Sequence, residues 1–73
     1  MSFSEKIKKI RQEALLSQQE FGEAVGVAFS TVNRWENGKS IPDYKSLRAI
    51  QQFCDARSIS FSLFEEIMKG DTL

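Results

Sequence analysis

The hydrophobic residues of this chain recur at steps of three and four positions, which is the spacing of one face of an α-helix. The first such stripe predicts a helix from about Ser4 to Leu15. A stripe of this kind must be covered by other parts of the chain, so we expect it to face a core. Its members are Phe3, Ile7, Ile10, Ala14 and Leu15.

A second helix is predicted to begin at Ser17, because Ser17 and Glu20 have the spacing of a capping box. Its expected buried face consists of Phe21, Ala24 and Val25. Gly26 then interrupts the pattern, and a third helix follows after a very short turn. The inward stripe of this third helix consists of Val27, Thr31, Val32 and Trp35, and Asn37 with Gly38 predicts its end, since both residues tolerate a positive φ.

Two further helices are predicted in the second half of the chain. Pro42 and Asp43 mark the start of the fourth, with Asp43 as the N-cap, and this helix ends near Asp55. Its inward stripe is Tyr44, Leu47, Ile50, Phe53 and Cys54. A fifth, short helix carries Phe61, Phe64, Ile67 and Met68 and is closed by Gly70. The predicted fold class is therefore all-α, a compact bundle of five short helices that forms a single domain over residues 1–73.

The composition narrows the classes of function that such a bundle can serve. No histidine and no glycine-rich phosphate loop is present, and Cys54 has no recognisable base, so we expect no enzymatic activity. The sequence also offers no metal cluster or cofactor motif. The lone Cys54 is expected to be a buried apolar group. Charged residues interrupt every apolar stretch, so we expect a cytoplasmic protein with no membrane partner and no small-molecule ligand.

The stretch from Gln18 to Asn37 has the pattern of a helix-turn-helix. Gly22 is small where the two helix backbones would approach each other, and Gly26 lies at the tight turn, where a left-handed conformation favours glycine. The apolar positions at which the two helices pack on each other and on the domain are Phe21, Val25, Val27, Val32 and Trp35.

From Ile7 to Asp43 the chain resembles the Cro and phage-repressor type of helix-turn-helix, also called the xenobiotic-response-element family. The resemblance implies a lambda-repressor-like fold that binds a double-stranded DNA operator, usually as a homodimer, and regulates transcription. The recognition helix would be Phe29 to Asn37. Its implied base-reading residues are Ala28, Phe29, Ser30, Asn33 and Arg34.

The resemblance also implies residues that bind the phosphate backbone. Ser17 and Gln18 would do so at the start of the second helix, where free N–H groups and the helix dipole favour an anion. Asn37, Lys39 and Tyr44 would continue these contacts beyond the recognition helix. Such contacts position a protein on DNA without reading its sequence.

Glu36 calls for a cationic partner, because a carboxylate in the last turn of a helix opposes the helix dipole and would lie near phosphates. The family resemblance implies that Arg11 of the first helix is that partner, in a structural ion pair. Two departures from the family's pattern stand out. Ala28 occupies a position where Ser or Thr commonly caps the recognition helix, and the connection from Cys54 to Ile59 is longer than usual.

The balance of charge leaves a second class of function open. The chain has ten Lys and Arg and ten Asp and Glu, whereas proteins that neutralise phosphate are usually basic. The alternative is a protein-interaction module on a helix-turn-helix scaffold, or an antitoxin that combines DNA binding with a partner toxin. Its apolar docking patch would consist of Phe29, Phe61, Phe64 and Met68.

Overall fold

The computed structural model describes residues 2–59, and within this range the chain forms four α-helices and no strand. They are α1 (Phe3–Glu13), α2 (Gln18–Val25), α3 (Phe29–Glu36) and α4 (Tyr44–Ala56). The predicted all-helical class is confirmed. The predicted count of five helices is not confirmed, because the structure gives four; the predicted fifth helix, which carries Phe61 to Met68, lies outside the described residues.

Three of the four helices begin with a side chain that accepts a hydrogen bond from the first turn. Ser17 and Glu20 form the predicted capping box at the start of α2, and Asp43 caps α4. Ser2 and Glu5 form a second capping box, which the sequence analysis missed. This cap explains why α1 begins at Phe3, a residue earlier than predicted, since it satisfies amide groups that would otherwise lack partners.

Each of the four helices is ended by a residue with positive φ. Gly26 (81°) and Gly38 (71°) adopt the left-handed conformation, as the sequence predicts for these turns. Leu15 (60°) and Ser58 (58°) do so as well, although neither residue type favours it. Each of these left-handed residues follows the last residue of its helix by one or two positions, where it ends the helical hydrogen bonding.

The prediction that Leu15 belongs to the buried stripe of α1 is wrong. The helix ends at Glu13, and the positive φ of Leu15 leaves its side chain 89% exposed. The amide of Leu15 donates to the carbonyl of Gln12, and that of Leu16 donates to the carbonyl of Arg11. This pattern is a Schellman motif, in which the residue after the left-handed one turns inward. Accordingly Leu16, rather than Leu15, packs against the core.

All four described helices contribute side chains to the core. Phe21 of α2 meets Phe53 of α4 edge to face, with ring centroids 5.2 Å apart. Two residues predicted to face inward, Ala24 and Tyr44, are exposed instead, because α2 and α4 each turn a narrower face to the interior than the stripes suggested. The buried hydrophobic residues that form the core are Ile7, Ile10, Phe21, Val25, Val32, Trp35, Ile50, Phe53 and Cys54.

Cys54 lies fully buried among these side chains. Burial raises the pKa of its thiol to about 11, with smaller contributions from the charges of Asp55 and Glu13. The thiol is therefore neutral at physiological pH and is not a nucleophile. The expectation that Cys54 serves as a small apolar core group is confirmed.

The contact between α2 and α3 depends on Gly22. A Cβ atom at this position would lie 2.7 Å from the carbonyl oxygen of Val27, closer than carbon and oxygen atoms can approach. The amide of Val27 donates to the carbonyl oxygen of Gly22 over 2.8 Å, so the two backbones are fastened at the same point. The close approach predicted for Gly22 is confirmed, and it holds the turn before α3 against α2.

Candidate nucleic-acid interface

The two sides of α3 differ sharply in exposure. Val32 and Trp35 are buried, with relative exposures of 0% and 2%. Positions on the other side stay in solvent because a helix of 3.6 residues per turn presents them away from α1 and α2. The exposed predicted base-reading residues are Ala28, Phe29, Ser30 and Arg34. Phe29 is 52% exposed, so its ring is available to a partner.

Asn33, the fifth predicted base-reading residue, is half-buried and hydrogen-bonded on both sides of its amide. Its Nδ2 donates to Oε1 of Gln18 over 3.2 Å, and its Oδ1 accepts from Nδ2 of Asn37 over 3.0 Å. Gln18 in turn donates through Nε2 to Oε1 of Glu36 over 3.1 Å. The start of α2 and the outer side of α3 therefore form one continuous polar surface.

Arg11 and Glu36 form an ion pair between α1 and α3. The Arg11 Nε donates to Glu36 Oε2 over 2.6 Å, and Nη2 donates to Oε1 over 3.0 Å. The remaining Nη1 donates to the carbonyl oxygen of Leu16 over 3.0 Å. Because the two side chains are only 15% and 4% exposed, the pair is shielded from water and fixes α3 to α1 and to the turn before α2.

Both groups of this ion pair stay charged. Partial burial raises the pKa of Glu36, but hydrogen bonds from Arg11 and Gln18 and the charges of Arg11 and Lys8 outweigh it, so the pKa lies below the ordinary glutamate value. The hydrogen bonds to Glu36 raise the pKa of Arg11. The carboxylate is thus an anion throughout the physiological pH range, as an acceptor of three hydrogen bonds should be.

The helix starts that face this polar surface differ in their caps. Ser17 precedes α2 and is exposed, and its Oγ accepts from the amide of Glu20 over 3.1 Å. Ala28 precedes α3 in an extended conformation (φ −73°, ψ 155°) but has no side chain that can accept a hydrogen bond. The family's cap is therefore absent here, and the first amides of α3 are left without that partner.

The loop after α3 carries the other predicted phosphate contacts. Asn37 and Lys39 are exposed, and the amide of Lys39 donates to the carbonyl oxygen of Arg34 over 2.9 Å, which holds the loop against the end of the helix. Tyr44 opens α4 outside the polar network and is 68% exposed. The Arg48 guanidinium lies 5.5 Å from the centre of its ring.

The sequence analysis missed three features of this surface. Arg48 stacks on Tyr44 four residues earlier, and Asn37 donates to Asn33 four residues earlier, so helical spacing could have revealed both pairs. The hydrogen bond between Gln18 and Asn33 joins two different helices and has no such local signal. Among residues 2–59, no cluster of His, Cys, Asp and Glu could hold a metal ion, and none of the described helices has the length and hydrophobicity needed to cross a membrane.

Within the described residues, α2 and α3 form a two-helix unit in which one side of α3 is exposed, and all the other elements are helices as well. This arrangement defines the class of helix-turn-helix proteins. The helix-turn-helix family of the Cro/C1 type matches residues 7–61, and the chain belongs to that family.

Two curated proteins are similar to it. The HTH-type transcriptional activator BcrR of Enterococcus faecalis is 31% identical over 100% of this chain and 33% of its own length. The uncharacterized HTH-type transcriptional regulator YqaE of Bacillus subtilis (strain 168) is 36% identical over 96% of this chain and 55% of its own. The chain thus spans about a third and about half of these relatives. No solved structure matches it.

Proposed function

We propose that this chain binds double-stranded DNA sequence-specifically and acts in transcriptional regulation, with α3 lying in the major groove. The observation that carries the proposal is the division of α3 into a buried apolar side and an exposed side that includes Ser30 and Arg34. Relatives named as transcriptional regulators support the same function.

The five residues proposed to read bases, on the outer side of α3 and at its N-cap, have distinct recognition chemistries. Arg34 can donate two hydrogen bonds to guanine, and Asn33 can pair with adenine through its amide. The hydroxyl of Ser30 can either donate or accept a hydrogen bond, so it can contact several bases. Phe29 has no hydrogen-bonding group, and its ring can contact a thymine methyl group or a deoxyribose. Ala28, at the helix start, is small enough to let the backbone approach the base edges.

Phosphate binding in this proposal comes from the two ends of the polar surface. Ser17 and Gln18, at the start of α2, contact one segment of the DNA phosphate backbone. A second segment is contacted beyond α3 by Asn37, Lys39 and Tyr44. Because the whole chain has no net charge, affinity depends on these local groups. The logarithm of the binding constant should therefore fall with the logarithm of salt concentration at a modest slope.

We further propose that two copies of the chain bind a palindromic operator as a homodimer. Two identical half-sites on one face of the duplex would lie roughly 34 Å apart, one turn of DNA. Analytical ultracentrifugation of the protein with a duplex that carries both half-sites should give two chains per duplex. A single chain per duplex would remove the dimer from the proposal but leave DNA binding intact.

Selection from a randomised duplex library tests the function. Wild-type protein should enrich a defined sequence. Arg34→Ala should relax the preference at one base position and weaken binding to the enriched duplex by about five- to 150-fold, as expected for a lost bidentate contact. Lys39→Ala, the matched control for a phosphate contact, should weaken binding to all duplexes alike and reduce the salt slope by about one. If wild type enriches no sequence, specific recognition is refuted.

One observation favours the rival function, docking of another protein. Phe29, Ile41 and Tyr44 are 52%, 66% and 68% exposed, so each of these large side chains is accessible to a partner. The other members of the docking patch suggested by the sequence, Phe61, Phe64 and Met68, lie outside the described residues. The salt series separates the two functions, because docking of a neutral surface would be nearly insensitive to salt.

A further inference from the structure

The polar network that joins α1, α2 and α3 has a single direction. Asn37 donates to Asn33, Asn33 donates to Gln18, and Gln18 donates to Glu36, over distances of 3.0, 3.2 and 3.1 Å. Arg11 donates to the same carboxylate from the other side. Three side-chain amides in series thus all point their NH₂ groups towards Glu36.

The charge of Glu36 dictates this direction. A carboxylate has no hydrogen and can only accept, so Gln18 must turn its NH₂ group towards it and its oxygen away. That oxygen can only accept, and Asn33 must therefore present its own NH₂ group to Gln18. The oxygen of Asn33 is then left for the NH₂ group of Asn37. If Glu36 were neutral and could also donate, every amide in the series could rotate by half a turn and the hydrogen bonds would still form.

The direction matters because Asn33 has one donor and one acceptor position left for a partner outside the chain. A primary amide has two hydrogens on nitrogen and two lone pairs on oxygen, and the network uses one of each. Adenine presents an acceptor and a donor side by side in the major groove, so only one orientation of the asparagine amide matches it in a fixed docking geometry.

We propose that Glu36, acting through Gln18, is a positioning residue that fixes the amide orientation of Asn33 and thereby sets which base Asn33 reads. This inference rests on the proposed DNA-binding function. It assigns the ion pair between Arg11 and Glu36 a second role besides joining α1 to α3, since the same carboxylate that binds the guanidinium also orients an amide on the outer side of α3.

The first test uses the free protein and needs no DNA. The probe is the set of side-chain NH₂ signals in ¹H–¹⁵N NMR spectra of wild type, Glu36→Gln and Glu23→Gln, the last being a matched control at an exposed position of α2. In Glu36→Gln the signals of Gln18, Asn33 and Asn37 should all shift. In Glu23→Gln they should stay in place, and backbone amide signals of α3 report any general disturbance.

The second test repeats the selection from randomised duplexes. Asn33→Ala should lose the preference at one base position, by about fivefold or more if a bidentate contact is lost. Glu36→Gln should lose the preference at that same position and retain the position assigned to Arg34. Gln18→Met leaves the ion pair intact while it removes the amide, so it should relax the same position even if Glu36→Gln folds poorly.

The outcomes separate this inference from the function on which it rests. If wild type enriches no sequence, both fail. If wild type selects a sequence but Glu36→Gln and Gln18→Met keep the Asn33-dependent preference, the orienting role is refuted and DNA recognition stands. The orienting role is equally refuted if Asn33→Ala changes no single position, if the variants relax all positions together, or if only the Gln18 signal moves in the NMR spectra.

Discussion

The ion pair between Arg11 and Glu36 should contribute far more to stability than an exposed pair does. Removal of one partner from a buried pair costs about 3–5 kcal/mol, whereas exposed pairs contribute about 0–1 kcal/mol. The two side chains are 15% and 4% exposed, and Glu36 would keep only the hydrogen bond from Gln18. We therefore expect Arg11→Leu to lower the free energy of unfolding by about 2–4 kcal/mol.

The double variant should be less destabilised than the single ones. When both Arg11 and Glu36 become leucine, no uncompensated charge remains, and apolar replacement of a buried pair is often close to neutral. The coupling energy from the double-mutant cycle should be about 2 kcal/mol. Arg34→Leu is the matched control, because it removes an exposed arginine from α3 and should change stability by less than about 0.5 kcal/mol.

Trp35 provides the assay. It is the single tryptophan and is 2% exposed, so its fluorescence should change on unfolding and report denaturant titrations of wild type, the two single variants, the double variant and the Arg34→Leu control. In a domain of this size, each kcal/mol corresponds to a shift of about 4–8 °C in Tm, so Arg11→Leu should melt about 8–32 °C below wild type. A coupling energy within about 0.5 kcal/mol of zero would refute the reasoning, since it is the value of a solvated pair.

Three further predictions follow from single positions. Gly22→Ala should destabilise the protein by about 1 kcal/mol or more in denaturant titration, because a Cβ atom 2.7 Å from a backbone carbonyl outweighs the gain in helix propensity; a stabilised variant would mean that α2 and α3 separate at no cost. Leu15→Gly should raise Tm, because a left-handed leucine costs about 1–2 kcal/mol and this side chain is exposed; an unchanged or lower Tm would contradict this. The pKa of Glu36 is lower in the folded state than the ordinary glutamate value of about 4.3. The stabilisation that ionised Glu36 gives the folded state is therefore present at neutral pH and is lost as the pH falls through this lowered folded-state pKa. Unfolding midpoints measured from pH 7 to pH 3 should therefore fall more steeply in wild type than in the Arg11→Leu/Glu36→Leu double variant, and parallel curves would contradict the shift.

Much of the helix-turn-helix could be predicted because its signals are local. The capping box of Ser17 and Glu20 determines where α2 begins, and Gly26 marks where it ends. Gly22 could be recognised because only a residue without Cβ allows two backbones to meet there. These features depend on a few neighbouring residues and on steric limits that hold in any protein, so the sequence alone was sufficient.

The errors arose where the outcome depends on tertiary packing. Leu15 continues the apolar stripe of α1, but the chain gains more from burying Leu16 after a left-handed turn. Tyr44 has the spacing of a core residue, yet the buried side of α4 is already filled by Ile50 and its neighbours. The hydrogen bond between Gln18 and Asn33 depends on the crossing angle of α2 and α3, which hydrophobic periodicity does not encode.

The half-buried position of Asn33 has a consequence for how such a protein could change its target during evolution. Ser30 and Arg34 are exposed, so a substitution at either position alters the outer side of α3 with little cost to stability. Asn33 shares its amide with Gln18 and Asn37, and a replacement would remove the donor to Oε1 of Gln18 and the acceptor for Nδ2 of Asn37. We therefore expect related sequences to diverge freely at the two exposed positions and to change the three linked amides together.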